Sequence, residues 1–189
     1  MTHYGGAVSV LDLTGDFSPT KHAVTAENWF ALQVRPRHEK KIGAELRERE
    51  IRVFVPLFSS YHQWSDRHRL IETPLFPGYV FVRIAKASIA RIDVLRVRGV
   101  CGFVGVRGAG ETIPDSQIDA LHRILGHGIP FDSHPFVGVG QKVRIRGGSL
   151  DGLEGILEAK NGDQSLIVSI ELIQRSMAVR IAGYRVVPV

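Results

Sequence analysis

Cysteine is almost absent from this sequence of 189 residues. The single cysteine, Cys101, excludes an internal disulfide, and its place between Val100 and Gly102 in an apolar run predicts a buried thiol. Long hydrophobic runs are also missing, because no stretch approaches the ~20 apolar residues that span a bilayer. The first residues lack the basic start and apolar core of a signal peptide. We therefore expect a cytoplasmic chain without membrane segments.

Motifs of catalysis and metal binding are missing as well. Eight histidines are present, but no His-x-x-x-His, Cys-x-x-Cys or Gly-x-Ser-x-Gly pattern occurs. His127 and His134, with Asp132 between them, are the weak metal candidates that remain. The sequence thus predicts no metal, no cofactor and no enzymatic activity. Measurable turnover or stoichiometric bound metal would favour the alternative, an enzyme.

Positive charge is in excess but unevenly placed. The chain has 24 Lys and Arg against 19 Asp and Glu, with a net charge of +5 and a pI of 9.7. Residues 28–126 hold sixteen basic and ten acidic residues, so the surplus lies almost wholly in this central segment. A basic surface attracts polyanions, which makes nucleic acid a candidate partner.

The hydrophobic pattern divides the chain into four parts. Residues 1–27 lack a sustained period and predict a mobile tail. Residues 28–125 alternate strand and helix signals, whereas residues 126–136 (GHGIPFDSHPF) lack periodicity and predict a linker. Residues 137–189 contain only short strand signals between glycine turns. We expect an α+β fold, in which a mainly antiparallel sheet flanked by helices is joined by the linker to a small β-barrel.

Individual elements follow from the same pattern. In the first folded part we expect strands at 28–34, 53–55, 79–84 and 100–106, two hairpin arms within 61–71, and helices at 38–50, 88–96 and after Pro114. In helix 88–96, Ile89, Ile92 and Leu95 share one face. In the last part, strands are expected at 141–146, 155–159, 166–170, 178–181 and 184–187.

A glycine-rich motif opens the last part. Residues 142–146 (KVRIR) alternate charged and apolar side chains, and the loop that follows ends at Gly155, before the next strand. This arrangement resembles the KOW motif, which consists of an alternating strand, a glycine loop and a glycine before the next strand. Leu150 and Leu153 in the loop either close the end of an SH3-like KOW barrel or remain exposed.

A second resemblance covers residues 28–125. Its motifs are the Trp29-Phe30 strand, RPRHEKK at 35–41, PLFPGYVFV at 74–82 and VRGVCGFVG at 97–105. Together they are similar to the NGN domain of the NusG/RfaH/Spt5 family of transcription elongation factors. An NGN domain followed by a linker and a KOW barrel is the architecture of that family. PLFPGYVFV, together with SIELIQRSMAV at 169–179, is nearer to the specialised NusG paralogues of the RfaH, LoaP and UpxY type.

The resemblance implies a monomeric factor that binds RNA polymerase, promotes processive elongation and opposes termination. In the family, an apolar patch of the NGN domain grips the clamp helices of the largest polymerase subunit. The matching residues here are Phe76, Tyr79, Phe81, Trp29 and Ala31. Strand alternation places Tyr79 and Phe81 on one face and the neighbouring valines on the other. The alternative is that some of these rings belong to the core.

Basic residues form a second implied site, for nucleic acid. The candidates are Arg35, Arg37, His38, Lys40, Lys41, Trp64, Arg67 and Arg69. The first five open a helix, where backbone N–H groups also favour anions, and the last three lie on the hairpin. In RfaH-like members these regions approach upstream or non-template DNA, where a tryptophan can stack on an unpaired base and an arginine can bind phosphate. A solvated basic face, with the tryptophan packed on its own hairpin, is the alternative.

The resemblance also implies a partner for the KOW domain. The matching residues are Leu150, Leu153, Leu172, Ile173 and Arg175. In the family this surface docks ribosomal protein S10 or the terminator Rho; aliphatic residues replace family aromatics here, so S10 is expected in preference to Rho. Abundant Val, Ile and turn glycines predict a β-barrel at rest. The alternative function is a ribosome-associated RNA-binding KOW protein, which would bind RNA but not polymerase.

Overall fold

The computed structural model describes residues 26–64, 67–134, 136, 140–160 and 163–189. The expected tail at 1–27, apart from its last two residues, and Ser65-Asp66 between the two expected hairpin arms lie outside this description. Within it, no helix has the length and apolar character needed to cross a membrane.

Strands and helices follow the expected order, with bounds that differ by a few residues. The N-terminal strands are β1 (Glu27–Val34), β2 (Arg52–Phe54), β3 (Leu57–Trp64), β4 (Arg67–Pro74), β5 (Tyr79–Ala85), β6 (Val100–Phe103) and β7 (Thr112–Ile113). The helices are α1 (Glu39–Glu48), α2 (Ala90–Leu95) and α3 (Asp115–Gly126). The C-terminal strands are β8 (Phe131–His134), β9 (Lys142–Arg146), β10 (Glu154–Lys160), β11 (Asp163–Ile170), β12 (Arg175–Arg180) and β13 (Arg185–Pro188).

An antiparallel sheet forms the centre of the N-terminal part. Its strand order is β2-β5-β1-β6, and the short β7 also pairs with β1. In the register between β1 and β5, Ala31 lies opposite Phe81 and Gln33 lies opposite Tyr79. The hairpin of β3 and β4 forms a separate two-stranded sheet.

Helices α1 and α2 cover one face of this sheet. Ile42 and Leu46, which are four residues apart on α1, are fully buried in one cluster with Val80 and Val82 of β5. The predicted alternation is therefore confirmed, because Phe81 belongs to the cluster on the opposite face.

Helix α2 is oriented differently from the expectation. Ile89, Ile92 and Leu95 are 78, 52 and 50% exposed, whereas Val94 and Val97 are buried. A helix this short has two possible apolar stripes, and here the stripe with Val94 and Val97 packs on the sheet. The face that the sequence identified as apolar is consequently open to solvent.

Helix α3 lies against the opposite face of the sheet. The helix expected after Pro114 is present, and its apolar residues Ile118, Leu121 and Leu125, which recur at helical spacing, are buried. The His122 ring stacks on Phe54 of β2 with ring centroids 4.0 Å apart. One continuous apolar cluster extends from this face through α3 into the C-terminal sheet.

The C-terminal part is a six-stranded antiparallel sheet in the order β13-β9-β10-β11-β12-β8. The α+β class is thus confirmed. Strand β8 comes from the segment 126–136, the predicted linker, for which no strand was expected. Phe131 pairs with Val179 of β12 and is buried, while His134 Nε2 lies 3.0 Å from Glu158 Oε2. Pairing with the otherwise open edge of β12 therefore stabilises a strand that this short polar segment would not form by itself.

Sterics explain why the KOW motif has a glycine at position 155. A Cβ added at Gly155 would lie 2.5 Å from the Ile167 carbonyl oxygen and 2.9 Å from the Leu166 Cγ. The neighbouring strand β11 thus passes too close for any side chain on β10 at this position.

Cys101 is exposed, and the expectation of a buried thiol is wrong. The register between β1 and β6 pairs Gln33 with Gly102 and Val34 with Val100. Cys101 is therefore the extra residue of a β-bulge, which turns its side chain away from the sheet.

Candidate functional site

A tight turn, Phe76–Tyr79, precedes the predicted polymerase-binding strand; we call it the Tyr79 turn. The Tyr79 N–H donates to the Phe76 carbonyl at 3.1 Å. Gly78 has φ +84°, a conformation that side chains other than glycine rarely adopt. Its carbonyl accepts the Val34 N–H at 2.8 Å, and its own N–H donates to Glu39 Oε1 at 2.7 Å. The turn is thus attached to β1 on one side and to α1 on the other.

Most of the predicted polymerase-binding side chains lie inside the protein in this conformation. Those at most 3% exposed are Trp29, Ala31, Phe76 and Phe81. Tyr79 is half-buried, and Pro77 beside it is exposed. The expectation of an open aromatic surface is therefore wrong for this conformation, because the same face packs on α3 in the cluster that includes the C-terminal sheet.

Trp29 is enclosed by cations. The guanidinium carbons of Arg52 and Arg83 lie 5.7 and 5.9 Å from the centre of a Trp29 ring, and Arg83 also pairs with Asp115 at the start of α3. A guanidinium over an indole face is a favourable arrangement. Access to this ring would require both arginines to move.

The five predicted basic residues at 35–41, which we call the basic segment, are all exposed. The Arg35 N–H donates to the Gly99 carbonyl at 2.9 Å, and Arg37 has φ +68°. Lys40 Nζ pairs with Glu72 Oε2 of β4 at 2.9 Å. The basic segment therefore lies next to the base of the hairpin.

The hairpin brings its predicted residues to one end. Trp64 is opposite Arg67 in the register, and Arg69 is opposite His62. Their side chains fall outside the described part of the structure, so the backbone alone shows that Trp64 and Arg67 are neighbours at the tip. The basic segment is thus joined to strand β4 of the hairpin through the ion pair of Lys40 and Glu72.

Helix α3 connects the two sheets through what we call the α3 interface. Arg123 Nη1 donates to the Asp151 carbonyl at 2.8 Å, and the Glu171 N–H donates to Gln117 Oε1 at 3.3 Å. A cleft of about 660 Å³ lies between α3 and the C-terminal sheet. Elsewhere, Phe58 of β3 meets Phe131 of β8 with ring centroids 5.4 Å apart.

The predicted partner-binding residues of the C-terminal part lie close to this interface. Leu150, Leu153 and Ile173 are buried in the shared apolar cluster, whereas Leu172 is partly buried and Arg175 is exposed. Of the two alternatives left open for the loop leucines, burial at the end of the sheet is the one observed in this conformation. They flank Asp151, which accepts the hydrogen bond from α3.

Comparison with known proteins agrees with this architecture. A family model described as "Transcription termination factor nusG" matches residues 27–122, which is half of the chain. This chain belongs to the NusG family. The NusG protein of Lactococcus lactis is 27% identical over 175 residues, covering 85% of this chain and 92% of its own. That of Borreliella burgdorferi is 24% identical and covers 81% and 94%. Both are named "Transcription termination/antitermination protein NusG", which supports a role as a transcription factor.

A solved NusG structure has the same fold. The structure "Domain interaction in Thermotoga maritima NusG" matches with a TM-score of 0.51 at 20% identity, over 83% of this chain and 94% of that one. The match extends over both sheets and thus supports an NGN-like part followed by a β-rich part.

Two features of the site were missed by reasoning from sequence. Glu39 is an acidic residue within the otherwise basic segment, and that exception was the available signal. Phe131 stands between Pro130 and Asp132 in a segment without hydrophobic periodicity, so it gave no signal. Among the described residues, no group of three or more potential metal ligands occurs; His127 Nδ1 instead lies 2.8 Å from the Arg123 carbonyl oxygen.

Proposed function

We propose that this NusG-family protein is an elongation and antitermination factor. In this proposal an NGN domain (28–125) binds RNA polymerase and a KOW domain (137–189) recruits a second protein. The observation that carries the proposal is the Tyr79 turn, which presents a half-buried tyrosine beside exposed Pro77 and the basic segment. Tyrosine combines apolar area with a hydroxyl group and is enriched at protein interfaces. The partner that the family resemblance implies is the clamp helices of the largest polymerase subunit.

Burial of the aromatic face suggests how this binding proceeds. Phe76 and Phe81 share one apolar cluster with α3 and with Leu150 and Leu153. We infer that the full patch becomes accessible when the C-terminal sheet leaves α3 and α3 shifts. The same movement exposes the loop leucines, so both partner surfaces become available together. Ribosomal protein S10 is the proposed partner of the KOW domain, in preference to Rho.

Nucleic acid is the proposed ligand of the basic segment and the hairpin tip. The five exposed basic side chains and the neighbouring Trp64 and Arg67 combine phosphate-binding charge with a stacking ring. Upstream or non-template DNA of a transcribing complex offers both phosphates and unpaired bases. The ion pair between Lys40 and Glu72 keeps the two elements adjacent.

Polymerase binding is tested with Tyr79→Ala, because this ring is the least buried of the proposed patch. We expect at least about a tenfold loss of affinity for purified bacterial RNA polymerase, as truncation of an aromatic hot spot costs ~2 kcal/mol. Tyr184→Ala is the control, since it removes another half-buried tyrosine, which lies just before β13 in the C-terminal part. Circular dichroism checks that both variants fold. Undiminished binding of the Tyr79 variant would reject the proposed surface.

The direction of the effect is tested by transcription in vitro. We expect the protein to increase readthrough at a terminator, as the likeness to specialised paralogues implies. Promotion of termination would instead assign a role in termination and exclude the specialised one.

A further inference from the structure

Glu39 is the one buried ionisable side chain among the described residues. It is 1% exposed, whereas the other buried polar residues are the serines Ser59 and Ser176. Removing a carboxylate from water is costly unless hydrogen bonds or charges compensate. No ion pair to Glu39 occurs within the described part of the chain, so its compensation comes from elsewhere.

The compensation comes from two backbone features. Glu39 is the first residue of α1, where the positive end of the helix dipole favours an acidic side chain. Its Oε1 accepts the Gly78 N–H at 2.7 Å, a short distance typical of a hydrogen bond to a charged acceptor. The buried carboxylate therefore acts on one peptide of the Tyr79 turn.

The residue Gly78 is fixed on both sides, because its N–H and its carbonyl belong to two successive peptides that are each hydrogen-bonded. The Gly78 carbonyl accepts the Val34 N–H at 2.8 Å, so β1 and α1 hold opposite sides of a glycine with φ +84°. Tyr79 follows directly and begins β5. The direction of its ring thus depends on the backbone conformation of Gly78, whose N–H is held by Glu39.

The chain before α1 has a conformation that places Glu39 at this point. The Arg35 N–H is bonded to the Gly99 carbonyl, and the His38 N–H is bonded to the Arg35 carbonyl at 3.1 Å. Between them, Arg37 adopts the left-handed φ of +68°, which is unfavourable for arginine. Such strain persists where the surrounding structure requires it. Here it turns the basic segment so that its acidic residue faces inward and its cations face solvent.

We propose that Glu39 is a positioning residue, which orients Tyr79 for polymerase binding by holding the Gly78 N–H. This inference rests on the proposed function, because polymerase is the partner that Tyr79 would contact. It also makes the basic segment and the Tyr79 turn one rigid unit, so that the proposed nucleic-acid and polymerase surfaces keep a fixed relative orientation.

The test compares Glu39→Ala, Glu39→Gln and the control Glu45→Ala in the full chain. Glutamine keeps a carbonyl oxygen that can accept the same bond. Glu45 is also on α1, but its carboxylate bonds to Arg49 and does not contact the turn. Amide hydrogen exchange at Gly78, relative to that of β5, reports on the turn without any partner. Affinity for purified polymerase is measured for each variant, alone and combined with Tyr79→Ala.

We expect Gly78 exchange to accelerate by at least about tenfold in Glu39→Ala, as for the loss of a hydrogen bond to a charged group. Acceleration should be smaller in Glu39→Gln and absent in Glu45→Ala. Polymerase affinity should fall by about tenfold in Glu39→Ala and recover partly in Glu39→Gln. In the Tyr79→Ala background, the Glu39 change should have no further effect on affinity.

Two results would overturn the inference. One is unchanged Gly78 exchange in both Glu39 variants. The other is an equal loss of affinity with and without Tyr79, which would mean that Glu39 acts on binding by another route. If Glu39→Ala does not fold, Glu39→Gln carries the same comparison. If the wild-type chain does not bind polymerase, the proposed function fails, and Gly78 exchange still decides whether Glu39 holds the turn.

Discussion

Arg123 on α3 donates a hydrogen bond from Nη1 to the Asp151 carbonyl, 2.8 Å away in the loop between β9 and β10. Arg123 Nη1 would also lie 3.7 Å from a Cβ added at Gly152, which is an ordinary van der Waals distance. The guanidinium therefore packs directly against this loop. The contact joins the C-terminal sheet to the helix that covers the proposed polymerase-binding face. The contact therefore affects whether a partner can reach the proposed polymerase-binding face.

Arg123→Ala is the first prediction. Loss of this hydrogen bond should weaken the α3 interface. The apparent affinity for RNA polymerase should then rise about fivefold, which corresponds to the free energy of one net hydrogen bond. Binding to purified polymerase measures the change. Arg96→Ala is the matched control, because Arg96 is an exposed arginine of the N-terminal part whose ion pair, in the described part of the chain, is with the nearby Asp93. Equal affinities of the wild type and the Arg123 variant would argue against a covering role of the C-terminal sheet.

The main features of the fold could be predicted because they are local. The apolar positions of α1 and α3 repeat at helical spacing, and the alternation of Tyr79 and Phe81 with two valines assigns the faces of β5 correctly. Strand β8 could not be predicted, since its pairing depends on the distant edge of β12. The exposure of Cys101 likewise depends on a register shift between β1 and β6.

For the residues of the candidate site, the sequence predicts the face on which each lies but not its accessibility. Sequence patterns identify which face a side chain occupies, but not whether another part of the chain covers that face. Phe76 and Leu150 come from distant segments, yet they belong to one buried cluster that only tertiary packing creates. Exposure of the basic segment follows from its composition, because four cations and a histidine within seven residues have no means of being buried together.

Phe76→Ala is predicted to destabilise the protein as well as weaken binding. The ring is 3% exposed and lies 6.3 Å from the Phe81 ring, so its removal leaves a cavity. Truncation of a buried phenylalanine costs about 3 to 5 kcal/mol, whereas Phe76→Leu should cost clearly less. Urea unfolding followed by circular dichroism measures both. A loss below about 1 kcal/mol for the alanine variant would mean that this ring is not part of the core.

Arg37→Asn is predicted to weaken DNA binding without loss of stability. Arg37 holds φ +68°, which asparagine adopts more readily than arginine, so the substitution removes a charge and relieves strain. Affinity for a forked DNA with an unpaired strand should fall, and the slope of its logarithm against log salt should decrease by about one. Arg107→Asn is a matched control, since Arg107 is an exposed arginine with φ +53° on another loop. Equal effects of the two variants would indicate a general response to net charge.

Gly155→Ala is predicted to destabilise the C-terminal sheet. The reason is space alone, because the added Cβ would lie 2.5 Å from the Ile167 carbonyl oxygen, a backbone atom fixed by the ladder between β10 and β11. Either the two strands separate or the methyl group clashes, and overpacking of this kind costs about 1 to 3 kcal/mol. Gly126→Ala is the control: Gly126 is exposed at the end of α3, no atom lies within 4 Å of its added Cβ, and alanine favours the helix. The midpoint temperature of thermal unfolding should therefore fall for Gly155→Ala and stay the same or rise for Gly126→Ala. A Gly155 variant as stable as the wild type would show that β11 can yield, and the glycine of the KOW motif would then need a reason other than strand spacing.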